Sequence, residues 1–219
     1  MKKVVVVDYD MGNLFSVQQA CTNVGLETVI SKSIEEIRSA DALILPGVGS
    51  FNEAMANLQK FGLTAPIKET AEKKIPFLGI CLGMQLLFTE SEEFGNTKGL
   101  DLIKGKVVKF PSTSASGETV KIPQINWNTI SYPGGSNAFN SPLLDGIAQD
   151  EFMYFVHSYY VVNDEAATVA CSTEYAGVSY CSGVCKENIM AFQFHPEKSA
   201  SEGLKIYSNF KNLIDNGTK

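Results

Sequence analysis

The sequence is short of the residues that metal and disulfide chemistry need. It has two histidines, His157 and His195, and five cysteines, Cys21, Cys81, Cys171, Cys181 and Cys185, with no Cys-x-x-Cys pair. An odd count without paired spacing argues against a disulfide framework and a structural zinc site. No metal and no cofactor is expected. Lys and Arg total 18 against 24 Asp and Glu, for a net charge of −6, and no basic run occurs. Without a basic excess to neutralise phosphates, nucleic acid is not an expected partner. Long apolar runs are missing as well. Lys2 and Lys3 lead into Val4 to Val7, but Asp8 ends that run far short of the roughly 7–15 residues of a signal-peptide core. No stretch approaches the roughly 20 apolar residues of a membrane span, so no membrane partner is expected. A soluble, cytoplasmic protein is expected. The 219 residues are 44% hydrophobic, enough for residues 1–219 to bury one core as a single domain.

The first half alternates strand and helix patterns. Val4 to Val7 is a β-branched run of the kind buried on both faces of a sheet. Leu14, Val17, Cys21 and Val24 recur at helical spacing and Gly25 closes the segment. Strands are predicted at Thr28 to Ile30, Ala42 to Leu45 and Pro76 to Ile80. Helices are predicted at Asn52 to Leu58, Ala65 to Lys73 and Leu82 to Thr89. This order implies an α/β fold with a mostly parallel central sheet and helices on both faces. The second half reads as strands at Lys106 to Phe110, Ile122 to Ile125, Phe152 to Val156, Tyr159 to Val162, Thr168 to Cys171 and Met190 to Phe194. A helix at Glu202 to Ile214 follows. An antiparallel extension of the main sheet is the expected result, with Ser112 to Thr119 as an exposed loop.

Three segments carry chemistry. In Gly79-Ile80-Cys81-Leu82-Gly83 a strand runs into a sharp turn and a helix, the cysteine form of a nucleophile elbow. A lone cysteine near a strand end is more often a buried structural residue. Here the flanking glycines reverse that reading, because they relieve the crowding such a turn creates. The sulfur then sits at a helix N-terminus, where partial positive charge favours thiolate. The Leu82 N–H is free to donate to an oxyanion. The second segment is Phe194-His195-Pro196-Glu197, where a strand delivers an imidazole and a carboxylate follows two residues later to orient it. His157, among aromatic strand neighbours, reads instead as a core or interface histidine. The third is Pro46-Gly47-Val48-Gly49-Ser50, after a strand on the same sheet edge. Its glycines free the backbone to aim an N–H, and the absence of Gly-Lys-[Ser/Thr] argues against a phosphate loop.

Together these segments resemble the class I (triad) glutamine amidotransferases, and more finely the glutaminase subunits of imidazole glycerol phosphate synthase. The likeness extends to Asp8-Tyr9-x-x-Gly12-Asn13-Leu14, to Met84-Gln85, to Trp127-Asn128, to Tyr154 through Tyr159 and to Gln193 through Ser199. The resemblance implies a glutaminase that passes ammonia to a (β/α)8-barrel cyclase in a heterodimer of histidine biosynthesis. It makes Cys81 the nucleophile, His195 the acid/base and Glu197 the orienting carboxylate. Gly47, Gly49, Gln85, Ser158 and Tyr159 would hold L-glutamine, and Val48, Gly49 and Leu82 would supply the oxyanion donors. Met11, Asn13, Trp127, Tyr154 and Lys198 would face the partner. The family usually has Pro-His-x-Gly-Trp-Asn where this chain has Pro123-Gln124-Ile125-Asn126-Trp127-Asn128, so the departures at Gln124 and Asn126 point to the docking surface. The alternative is a paralogous glutaminase that feeds a sugar-modifying amidotransferase of surface-polysaccharide synthesis.

Overall fold

A computed structural model describes residues 2–113, 117 and 119–217. Strand β1 (Val4–Val7) and helix α1 (Leu14–Asn23) open the chain. Then come β2 (Thr28–Ser31), α2 (Ile34–Arg38), β3 (Ala42–Leu45), α3 (Phe51–Lys60), α4 (Thr64–Glu72), β4 (Phe77–Ile80) and α5 (Leu82–Leu86). Strands β5 (Phe88–Ser91), β6 (Thr97–Lys98), β7 (Ile103–Lys109), β8 (Gln124–Ile130), β9 (Glu151–His157) and β10 (Tyr159–Asn163) follow. The chain ends with β11 (Val169–Tyr175), β12 (Val178–Lys186), β13 (Ile189–Phe192) and α6 (Ala200–Asn216).

The main sheet runs β2-β1-β3-β4-β13-β12-β10-β7-β5-β6, with β11 on β12. Its first five strands are parallel, and from β13 to β12 the pairing turns antiparallel. The β-branched alternation of β1 feeds two cores. Val4 and Val6 pack with α1 and α6 on one face, and Val5 and Val7 with α2, α3 and α4 on the other. That is the α/β architecture expected.

Several boundaries differ from the sequence expectation. The helix expected to reach Thr89 stops at Leu86, because tertiary pairing claims its last carbonyls. Leu86 O accepts from the Leu100 N–H and Leu87 O from the Leu102 N–H. The strand expected at Ile122 to Ile125 lies at Gln124 to Ile130, outside the main sheet. It pairs antiparallel with β9 to form a separate two-stranded ribbon. Strand β12 carried no clear signal, since Ser179, Ser182 and Gly183 interrupt its apolar pattern. Gly183 is needed there because a Cβ would fall 2.6 Å from Cys171 Sγ. Part of the expected loop at Ser112 to Thr119 lies outside the described residues. Among the described residues no helix is long and apolar enough to cross a membrane.

Candidate active site

Parallel strands β4 and β13 are neighbours, so their C-terminal ends bring Cys81 and the His195 turn to one sheet edge. Cys81 adopts φ +55°, a conformation that L-residues avoid at a cost of about 1–3 kcal/mol. The surroundings hold it there. The Cys81 N–H donates to Phe192 O at 2.8 Å, and Cys81 O accepts from Met84 N–H at 3.0 Å. The flanking glycines are sterically required. A Cβ on Gly83 would run into the Leu45 carbonyl, and one on Gly79 would lie 2.8 Å from Ala191 Cβ.

His195 caps a one-turn 3-10 helix, Pro196–Lys198, which folds Glu197 back onto the imidazole. His195 Nδ1 lies 2.8 Å from Glu197 Oε1, with both side chains almost fully buried. Burial would lower the His195 pKa, but the nearby Cys81 sulfur and the Glu197 carboxylate raise it to about 10. A protonated imidazole is the form this favours. Three other cysteines are buried. Burial pushes the thiols of Cys21 and Cys181 up to about 12, and Cys171 is raised too, which keeps them protonated.

The third segment packs directly on the elbow. A Cβ on Gly47 would strike the Tyr9 hydroxyl and Leu82. Gly49 holds φ +102°, which suits glycine alone. Tyr9, fully buried, donates from its hydroxyl to Pro46 O at 2.7 Å and so anchors the segment's start. Burial and the nearby Cys81 raise its phenol well above the ordinary range.

Gln85 is buried and not open to solvent. Its Nε2 donates to Tyr159 O and to Gln193 Oε1, both at 2.9 Å. Gln193 Nε2 in turn donates toward Cys81 Sγ at 3.7 Å. Ser158 and Tyr159 line a cavity of about 500 Å³ together with Glu93 and Lys109. Glu93 Oε2 also accepts from the Phe51 N–H at 2.7 Å, and burial raises its pKa. In the sequence Gln193 is marked only by its place in the Gln193 to Ser199 motif, directly after an apolar strand, and its burial beside Cys81 is a tertiary feature. Nothing local marked Glu93, whose contact with Phe51 spans 42 residues.

On the β8–β9 ribbon, Trp127 lies opposite Tyr154, with ring centroids 5.9 Å apart. Lys198 Nζ sits 5.8 Å above the Tyr154 ring. Ile125, Trp127 and Phe152 leave this face about half exposed. Met11 and Asn13 lie before and at the start of α1, where the Asn13 side chain accepts from the Ser16 N–H. The ribbon is bonded to the histidine turn. The His195 N–H donates to Tyr154 O at 2.9 Å. The Ser199 hydroxyl donates to His195 O at 2.7 Å and accepts from the Tyr154 N–H at 3.0 Å. Of the two departures, Asn126 is exposed although it shares a strand face with Gln124, whereas Gln124 is fully buried and does not belong to the exposed surface. The strand's alternation puts Gln124 on the inner face, where the Tyr180 hydroxyl meets it.

A family model for class-I glutamine amidotransferases matches residues 5–213. The imidazole glycerol phosphate synthase subunit HisH of Syntrophotalea carbinolica is 45% identical over 211 residues, covering 96% of this chain and 100% of that protein. The HisH subunit of Sulfurimonas denitrificans is 47% identical over 207 residues, covering 94% and 96%. Among solved structures, PurLQS from Thermotoga maritima matches with a TM-score of 0.70 at 18% identity, covering 98% of this chain and 100% of that chain. A glutamine amidotransferase from the same organism gives 0.58 at 16% identity, covering 98% and 84%. These two likenesses are of fold.

Proposed function

The chain belongs to the class-I glutamine amidotransferases, alongside subunits named imidazole glycerol phosphate synthase HisH, and from that premise we propose that it is the glutaminase subunit of such a synthase. It hydrolyses L-glutamine to L-glutamate and ammonia and serves histidine biosynthesis. The observation that carries this reading is the buried His195–Glu197 pair at 2.8 Å beside a cysteine held at φ +55°.

The Cys81 thiolate attacks the glutamine carboxamide carbon. Charge that develops on the oxygen goes to the Leu82 N–H at the start of α5 and to an N–H from Val48 or Gly49. Loss of one such donor typically costs about 100–1000-fold in rate. As the C–N bond breaks, His195 gives its proton to the departing nitrogen and ammonia leaves. The neutral imidazole then takes a proton from water, whose oxygen attacks the thioester, and Cys81 departs with glutamate released. Glu197 keeps the imidazole turned and stabilises its charged form. Gly47 and Gly49 hold the substrate through their backbone, which packs closely on Tyr9, Leu82 and Met11, and Ser158 and Tyr159 take its amino-acid end. Glu93, across the same cavity, offers a carboxylate to the α-ammonium. Gln85 acts from behind this wall, through the Tyr159 carbonyl.

The ammonia goes to a (β/α)8-barrel cyclase docked on Met11, Asn13, Trp127, Tyr154 and Lys198. Two features support this: the half-exposed aromatic face of the ribbon, and the ribbon's bonds to the His195 turn. The latter give docking a direct route to the acid/base. Five unpaired cysteines and biosynthetic chemistry fit a cytoplasmic heterodimer.

The test is glutamate release by the purified chain, alone and with a co-expressed barrel cyclase carrying its ribotide ligand. Cys81→Ala should abolish turnover, and the liganded partner should stimulate the wild type strongly. Turnover that survives in pure Cys81→Ala would sink the mechanism. Turnover that no cyclase stimulates would sink the partner.

A further inference from the structure

Gln124 stands directly opposite His157 in the β8–β9 ladder. Their side chains meet at Tyr180, whose hydroxyl lies 3.1 Å from Gln124 Oε1 and 3.2 Å from His157 Nε2. On the far side of the ring, His157 Nδ1 lies 2.8 Å from the Tyr159 carbonyl oxygen. That oxygen is also the one that Gln85 donates to, and Gln85 leads through Gln193 to Cys81. Phe110 and Phe155 wall the imidazole, with ring centroids at 5.2 and 5.7 Å.

Proton counting gives this chain a direction. A carbonyl oxygen only accepts, so His157 Nδ1 carries a proton. Burial holds the His157 pKa down to about 4, with the Tyr159 carbonyl opposing and His195 assisting. The ring is therefore neutral and Nε2 is an acceptor. Tyr180 has one hydroxyl proton, and it belongs on Nε2. Whatever faces the Tyr180 oxygen from Gln124 must then donate, and only the amide nitrogen does. With Oε1 toward Tyr180, two acceptors compete for one proton and Gln124 Nε2 is buried without a partner. Amide oxygen and nitrogen are told apart only by such networks. Turning the amide ends the competition and leaves a buried carbonyl unpaired in place of a buried NH2, which proteins tolerate better.

We propose that Gln124, Tyr180 and His157 are positioning residues for the glutaminase site. Gln124 N–H donates to the Tyr180 oxygen, Tyr180 O–H to His157 Nε2, and His157 Nδ1–H to the Tyr159 carbonyl. That carbonyl is thereby held where Gln85 and the glutamine pocket need it. Gln124, at the end of the docking ribbon, thus acts inward on substrate binding. The kinetic part rests on the glutaminase reading, whereas the protonation of His157 does not.

Only two histidines are present, so nitrogen-15 labelling of histidine in the full-length chain gives two pairs of ring-nitrogen signals, one pair per imidazole, and His195→Asn assigns them. At neutral pH His157 should be the neutral Nδ1–H tautomer. An Nε2–H or doubly protonated ring overturns the chain's direction. For kinetics, Y180F removes only the hydroxyl, Q124M keeps the volume without a donor, and Q124H restores an N–H. Y180F and Q124M should raise the KM for glutamine roughly three- to tenfold, the worth of one neutral hydrogen bond, with kcat within about twofold. Q124H should recover most of the loss. Alkylation of Cys81 by iodoacetamide, which does not use the glutamine pocket, should keep its wild-type rate throughout. An unchanged KM in both Y180F and Q124M, or a Q124H no better than Q124M, overturns the proposal. If the wild-type complex turns over no glutamine, the glutaminase reading fails and the nitrogen-15 result alone decides the chain's direction.

Discussion

Glu197→Gln is the substitution for which the geometry makes the firmest demand. Glu197 Oε1 accepts from the His195 Nδ1–H at 2.8 Å, while Oε2 is buried with no hydrogen-bond partner. A glutamine there has two orientations, and both are poor. With its oxygen toward His195 the geometry survives, but an NH2 is buried where no acceptor waits. With its NH2 toward His195, Nδ1 must accept, and the ring proton moves to Nε2, the nitrogen that has to work on Cys81. Loss of the charge-assisted bond alone costs about 1.5–3 kcal/mol, or roughly 10- to 150-fold. The wrong tautomer raises the total toward about 10,000-fold, as in other triads. Glutamate release by the partnered enzyme should show this fall in kcat with the KM for glutamine little changed, since Glu197 does not line the Ser158–Tyr159 cavity. The pH dependence carries a sign as well. The His195 pKa is raised in the folded chain from 6.5 to about 10. Its contribution to stability is therefore complete below pH 6.5 and lost as pH rises through 10. Wild-type thermal stability should fall across that window, and more steeply than that of Glu197→Gln. A kcat within about fivefold of wild type would refute the orienting role, because even the bond alone is worth more.

Three further outcomes follow from other contacts. Gly83→Ala forces a Cβ into the Leu45 carbonyl, and β3 has no room to yield, so denaturant unfolding should show a loss of about 3 kcal/mol or failure to fold. Ser199→Ala leaves the part-buried Tyr154 N–H and the buried His195 carbonyl without their shared partner. It should cost about 1–3 kcal/mol of stability and reduce stimulation by the partner more than basal turnover. Trp127 is the chain's sole tryptophan and is half exposed. Titration with a tryptophan-free cyclase should shift its emission to the blue, and an unmoved spectrum would place the partner elsewhere.

The sequence by itself determined the features that depend on neighbours along the chain. The strand Val4–Val7, buried on both faces, was legible because only such a strand tolerates four valines in a row. The elbow at Cys81 was legible because its glycines answer a local steric demand that any sharp strand-to-helix turn makes. The carboxylate two residues after His195 was legible for the same reason, since a single turn brings it back. Tertiary structure decided what lies between distant segments. It ended α5 at Leu86, because backbone donors from Leu100 and Leu102 took the carbonyls that another helical turn would have used. It set β8 and β9 apart as a ribbon, and so turned Gln124 inward to Tyr180 while Trp127 faces out. It brought Glu93 to the cavity and Gln193 to the sulfur. Those placements come from sheet order and strand register, which long-range packing sets and no local spacing encodes.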